Sequence, residues 1–246
     1  MNPTEREPFY IGYLPQAPIG LRRWLRATVI ALLTLTASLA LLLAFGFQRL
    51  PRSLFEYGQE RAYVGVIRAQ PYPSLLVTRA GAFEHYLLVG RGKHAADVLG
   101  FAGQTVELRG SLITRDGMRM LELVPGSVER IAAPTSAALS SEALGRFTLV
   151  GEIVDSKCYL GVMNPGYTKP HRECAVRCIS GGVPPLFLAR DSQGQSIALQ
   201  LADAQGEPLS HEVLAYVAEP IEITGEVFRQ GEWLTLRAHP NTYRRK

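Results

Sequence analysis

The chain has 246 residues, with 26 Lys plus Arg against 22 Asp plus Glu, 47% hydrophobic side chains and three cysteines, which excludes a disordered, collagen-like or disulfide-dense polypeptide. The formal net charge of +4 is confined to residues 1–52, where Arg6, Arg22, Arg23, Arg26, Arg49 and Arg52 stand against only Glu5 and Glu7. Residues 53–246 carry 20 charges of each sign, so the basic balance does not mark a nucleic-acid surface.

From Ala27 to Phe47 the chain runs 21 residues without a charge, and at about 1.5 Å per residue a helix of that length crosses a hydrocarbon layer of roughly 30 Å. The expected organisation is a cytoplasmic segment 1–26, a transmembrane helix 27–47 with Trp24, Phe45 and Phe47 at its interfaces, and a linker 48–61 opening at Leu50 and Pro51. A cleaved signal peptide is the rival reading, with Ser38, Leu39 and Ala40 as a small-x-small site, although apolar residues continue beyond it. Arg22, Arg23 and Arg26 before the helix outnumber Arg49 and Arg52 after it, which favours an N-terminus inside. The stretch Leu21-Arg22-Arg23-Trp24-Leu25-Arg26 also resembles a degenerate twin-arginine export signal. Both readings put the bulk of the chain outside the cytoplasm, and the expectation is a single-pass inner-membrane protein in contact with the lipid bilayer, with the bulk of the chain in the periplasm.

Beyond residue 61 the sequence repeats. Val98 to Gly110, followed by a segment ending Met120 to Pro125, matches Val213 to Gly225, followed by Leu234 to Pro240, at an offset of 115 apart from a one-residue shift at the turns of Gly117 and Gly231. Upstream, Tyr63 to Ile67 matches Leu149 to Ile153 at an offset of 86, so the second copy is longer by 29 residues. Repetition on this scale predicts two similar domains, 62–131 and 146–243, joined by a linker over 132–145 rich in Ala, Ser and Pro.

In the first copy strands are expected at 62–69, 75–80, 84–90, 104–112 and 118–124, with a short helix within 93–101. Val106, Leu108 and Gly110 alternate with Glu107 and Arg109, and Asp116-Gly117 suits a two-residue hairpin. Five strands with a helix between the third and fourth resemble the oligonucleotide/oligosaccharide-binding (OB) fold. The expected fold class is therefore mainly β: an N-terminal transmembrane helix followed by two small five-stranded OB-like barrels. Nucleic acid is not an expected partner, because neither copy interleaves aromatics with a basic excess, and the fold alone assigns no function.

All three cysteines fall in the insertion 155–185 that the first copy lacks. Thr168 is a plausible N-cap, Pro170 suits a first turn and Gly181-Gly182 a terminus, which predicts a helix over 169–179. His171, Cys174 and Cys178 then stand at i, i+3 and i+7 on one face. With Cys158 returned by the loop through Asn164, Pro165 and Gly166, four soft or borderline ligands share a compact segment that suits zinc or an iron–sulfur cluster. Asp155 has two uses open to it, capping the loop or orienting a ligand. Arg172 and Arg177 lie on the opposite helical face, available to solvent or an anionic partner.

The same residues admit a disulfide of Cys158 with Cys174 or Cys178, closing a loop of roughly 15–20 residues and worth about 3 kcal/mol, with one thiol left over. A redox-exchange cysteine is the third reading. An anchor followed by a small external β-domain resembles the Rieske proteins in layout, but their paired Cys and His ligand motifs are missing here. His85, His94, His211 and His239 are isolated in sequence, and there is no nucleophile elbow, P-loop, HExxH or GxGxxG. The expectation is a non-catalytic accessory or assembly subunit of a membrane complex, such as a respiratory one, with integral membrane subunits as partners. The alternatives are an electron-transfer or metal-binding subunit and a thiol-redox helper.

Overall fold

The computed structural model describes residues 17–48, 53–79, 82–132, 140–209 and 211–246. Most of the expected cytoplasmic segment and residues 133–139 of the expected linker lie outside them. The chain divides into two compact units, one up to Pro51 and a second from Arg52 to the C-terminus.

The first unit is a single helix, α1 (Ile19–Gln48), of 30 residues. It begins two turns before the uncharged run, so Arg22, Arg23 and Arg26 are helical, and beyond them its uncharged run exposes apolar side chains such as Leu33 and Leu42. Two of its threonines return their hydroxyl protons to the backbone, Thr28 to Trp24 O and Thr34 to Ile30 O, both at 3.0 Å, which meets those two donors within the helix, as an apolar surrounding requires. One helix therefore has the length and composition of a single membrane span or of a signal sequence.

The second unit holds two closed five-stranded barrels. The first comprises β1 (Ser53–Arg68), β2 (Ser74–Arg79), β3 (Ala82–Val89), β4 (Thr105–Arg115) and β5 (Met118–Leu123), with a two-residue strand β6 (Glu129–Arg130) beside β4. Pairing runs β1-β2-β3-β5-β4 and closes through β1 with β4. Every pair is antiparallel except β3 with β5, where Leu87 faces Met120. The second comprises β7 (Glu142–Asp155), β8 (Pro185–Arg190), β9 (Ser196–Ala202), β10 (Ile221–Gln230) and β11 (Trp233–Arg237) in the same order, with β9 and β11 parallel and a short β12 (Arg244–Arg245) beside β10. A 3-10 turn stands between the third and fourth strands of each barrel, at Leu99–Phe101 and His211–Tyr216, in place of the short helix expected from the sequence. Asp116 (φ 49°) and Gly117 (φ 82°) form the hairpin their composition predicts.

The two expected linkers are shorter than their composition implies. Residues 53–61 belong to β1, with Phe55 opposite Ile113 and Glu60 opposite Ser111 across an irregularity in register, and residues 142–145 already belong to β7. In both places the barrel strand extends past the repeated segment and pairs with the fourth strand of its own barrel.

Each barrel has its own core, one around Leu75, Leu88, Leu108 and Leu121 and the other around Phe187, Leu201, Ile223 and Leu236. A third cluster joins them: Leu87, Val89, Ile113 and Met120 of the first barrel pack with Val154, Tyr159, Leu160, Cys178, Leu186 and Trp233 of the second. The insertion thus lies in the joint between the barrels. Polar side chains cross the same joint. Arg115 Nη1 donates to Tyr159 O at 2.8 Å with its guanidinium over the Tyr159 ring, and Trp233 Nε1 donates to His85 O at 3.2 Å. Buried Lys157 pairs with Glu122 and donates to Gly90 O and Gly92 O at 2.9 and 2.6 Å.

Candidate metal centre

The centre starts where β7 ends. Asp155, wholly buried, accepts the Cys158 backbone N–H on Oδ1 at 2.8 Å and the His171 Nε2–H on Oδ2 at 2.8 Å. It therefore serves both uses open to it in the sequence, starting the turn that carries Cys158 and orienting the imidazole. Cys158 opens a π-type turn, Cys158–Val162, and Gly166 returns the loop so closely that a Cβ there would stand 2.4 Å from Cys158 O.

The expected helix forms in two parts, a 3-10 turn Lys169–His171 and α2 (Arg172–Ser180). Thr168 stands at the N-cap position of the 3-10 turn, but its hydroxyl does not cap it. Its φ is 70°, its hydroxyl donates to Tyr167 O, and its own N–H is held by Glu152 Oε2 at 2.8 Å. Pro170 lies in the first turn and Gly181 receives the helix end, donating to Arg177 O and Cys178 O.

As the i, i+3, i+7 spacing requires, His171, Cys174 and Cys178 turn to one side of the element. His171 and Cys178 are buried, and Cys174 is half-buried. Cys158 Sγ, Cys174 Sγ and a His171 ring nitrogen lie within 4.8 Å of one another, as do Cys158 Sγ, Cys178 Sγ and an Asp155 oxygen. Cys158 is the corner shared by the two groups. Its sulfur is 3.9 Å from that of Cys174, and all three cysteines are free. With Nε2 committed to Asp155, His171 Nδ1 is buried with no hydrogen-bond partner, the condition of an imidazole nitrogen left for a metal and held by a carboxylate behind it.

A residue that sequence reasoning missed completes the surroundings. Lys93, from the loop after β3 of the first barrel, donates from Nζ to Cys174 Sγ at 2.8 Å and to Cys178 Sγ at 3.5 Å. The electrostatics divide the thiols. A hydrogen bond shared between Cys178 and Cys158, assisted by the Lys93 ammonium, brings the Cys178 thiol down to about 7, while the same bond and burial push the Cys158 thiol up.

The other residues of interest in the sequence stay apart from the centre. Arg172 pairs loosely with Glu219 at 3.8 Å and Arg177 is exposed. His94, His211 and His239 are exposed, whereas His85 is buried against Trp233 with ring centroids 5.1 Å apart. No protein-family model, curated protein or solved structure matches the chain.

Proposed function

We propose that the chain is a membrane-anchored metal-binding accessory subunit whose two OB-like barrels enclose a mononuclear centre. The ligands are Cys158, Cys174, Cys178 and His171 Nδ1, with Asp155 behind the histidine. The observation that carries this reading is the buried His171 ring, fixed on one nitrogen by Asp155 and unpartnered on the other, beside the sulfurs. Zinc–sulfur bonds of ~2.3 Å at the tetrahedral angle set sulfurs about 3.8 Å apart, and Cys158 and Cys174 stand at 3.9 Å. An iron–sulfur cluster spreads its thiolates over several irons, so this spacing favours a single thiophilic ion. Four protein ligands leave no open coordination position, which suits a structural ion rather than a hydrolytic one.

The strand order 1-2-3-5-4 closing on 1, with the third and fifth strands parallel, supports the OB resemblance. The arginines in the first two turns of α1, ahead of its uncharged run, support insertion with the barrels on the periplasmic face of an inner membrane, and an anchor of this kind suits integral membrane subunits as partners.

The test is metal content and intact mass of the full chain purified in detergent. One zinc per chain is expected, lost on Cys158→Ser and on Cys174→Ser. A chain without metal and lighter by two hydrogens, with Cys158 bonded to Cys174 or Cys178, overturns the reading in favour of a disulfide staple. A second reading, thiol exchange, is favoured by the half-exposed Cys174 beside the Lys93 ammonium, and it predicts a mixed disulfide between Cys174 and a partner protein.

A further inference from the structure

Lys93 reaches the thiols from the opposite barrel, and its backbone is fixed from both sides. Ala95 N–H donates to Gly181 O at 2.8 Å and Gly90 N–H to His94 O at 2.9 Å, while Lys157 of the second barrel holds the carbonyls of Gly90 and Gly92. The contact is close enough that a Cβ on Gly181 would stand 1.8 Å from Lys93 O. The loop is thus pressed onto the end of α2, and the ammonium is placed rather than trailing in solvent. Among the described residues no carboxylate pairs with it; its hydrogen-bonding partners are the two sulfurs.

Charge gives this placement a purpose. Three thiolates, a neutral imidazole and a divalent ion sum to one negative charge, and the Asp155 carboxylate behind the imidazole adds to it, in a largely buried joint where uncompensated charge is costly. An ammonium at 2.8 and 3.5 Å from two of the sulfurs offsets one of these charges and supplies charge-assisted N–H···S hydrogen bonds that favour thiolate over thiol.

We propose that Lys93 is the charge-compensating positioning residue of the metal centre, contributed in trans by the first barrel, so that the ligand set of the second barrel reaches full affinity only when the two barrels are docked. This rests on the metal-centre reading above. It also gives a reason for the cysteines being in the joint: the ion is held by one barrel and the charge of its centre offset by the other, so metal binding and docking reinforce each other.

The test compares the full chain in detergent with Lys93→Met, which keeps an apolar stem without charge, and Lys93→Arg, which keeps the charge. Zinc affinity is read by competition with a chromophoric chelator and sulfur donation by the thiolate-to-metal band of the cobalt(II) form. Lys93→Met is expected to lower zinc affinity about 10–100-fold, the scale of lost outer-shell partners, and to move the cobalt band to lower energy as the sulfurs become more electron-rich. Lys93→Arg is expected to recover most of the affinity. Equal affinity and an unmoved band in Lys93→Met overturn the proposal while leaving the metal centre standing. Equal losses in both variants, accompanied by a lower melting temperature under chelator, overturn it in favour of simple loop packing. A wild-type chain that takes up neither zinc nor cobalt overturns the metal reading itself and this inference with it.

Discussion

Asp155 Oδ2 lies 2.8 Å from His171 Nε2, with both side chains shut away from water. With the Nε2–H donating to that carboxylate oxygen, the lone pair is on Nδ1, the nitrogen without a partner. Asp155→Asn keeps the shape but puts an amide, which both donates and accepts, where two acceptor oxygens serve Cys158 N–H and His171 at once. Zinc affinity is expected to fall about 10-fold or more, measured by chelator competition, with the barrel fold retained by circular dichroism. An unchanged affinity would show that Asp155 serves the turn alone.

The loop carrying Lys93 and the end of α2 meet at Gly181, where a Cβ would collide with the Lys93 carbonyl. Backbone atoms on both sides cannot rotate away, so Gly181→Ala is expected to destabilise the two-barrel unit by about 1–3 kcal/mol, the range for overpacking a close contact. Gly100 has nothing within 4 Å of its would-be Cβ, so Gly100→Ala should remain within about 0.5 kcal/mol of the parent. Urea unfolding followed by tryptophan fluorescence measures both, since Trp233 lies in the joint.

How far the sequence reaches is set by the range over which each contact acts. Cys174, Cys178 and His171 fall on one face because helical periodicity is local, and Cys158 joins them because the repeat offset isolates one inserted segment. Lys93 is not legible in the same way: it is 81 residues from Cys174 and 85 from Cys178, and nothing in a loop of ordinary composition marks which surface it meets. The docking of the barrels is equally hidden. Repetition reveals two copies but not that Leu87, Ile113 and Met120 lie against the insertion of the second, because an apolar residue looks the same facing its own core or a neighbour's. Residues 53–61 read as a linker since their partners in β4, from Arg115 opposite Ser53 to Gly110 opposite Arg61, are remote in sequence.

Lys157 and Glu122 form a cross-joint ion pair with exposures of 3% and 12%. Lys157→Met strands the carboxylate and releases the carbonyls of Gly90 and Gly92, so a loss of about 3–5 kcal/mol is expected. Glu122→Gln leaves the ammonium two carbonyl acceptors and should cost less. The double variant Lys157→Met, Glu122→Gln no longer buries a lone charge, and its loss is expected to be smaller than the sum of the two single losses. A double-mutant cycle by chemical denaturation measures the coupling, and additive losses would show that the pair contributes no interaction of its own.

His85 sets the acid side of the joint. The residue is 6% exposed, both ring nitrogens lack hydrogen-bond partners, and Trp233 stands edge-on at 5.1 Å. Burial, aided by the Arg68 guanidinium, brings its pKa down from 6.5 to about 3. The neutral ring is the form the folded joint accepts, whereas the unfolded chain takes up a proton once the pH falls below about 6.5. The unfolded state therefore binds more protons between these two values, and stability falls on acidification by about 1.4 kcal/mol per pH unit once the unfolded histidine is fully protonated, until the folded pKa is reached. Above about pH 6.5 the contribution is complete. His85→Phe fills the same space with a ring that does not titrate, so its stability should decline less steeply between about pH 6 and 4.5, by close to that increment. Urea titrations across this window, run with chelator so that protonation of the thiol centre does not enter, measure the difference. Equal slopes in the two proteins would assign the acid sensitivity to carboxylates and remove His85 from the joint's response to pH.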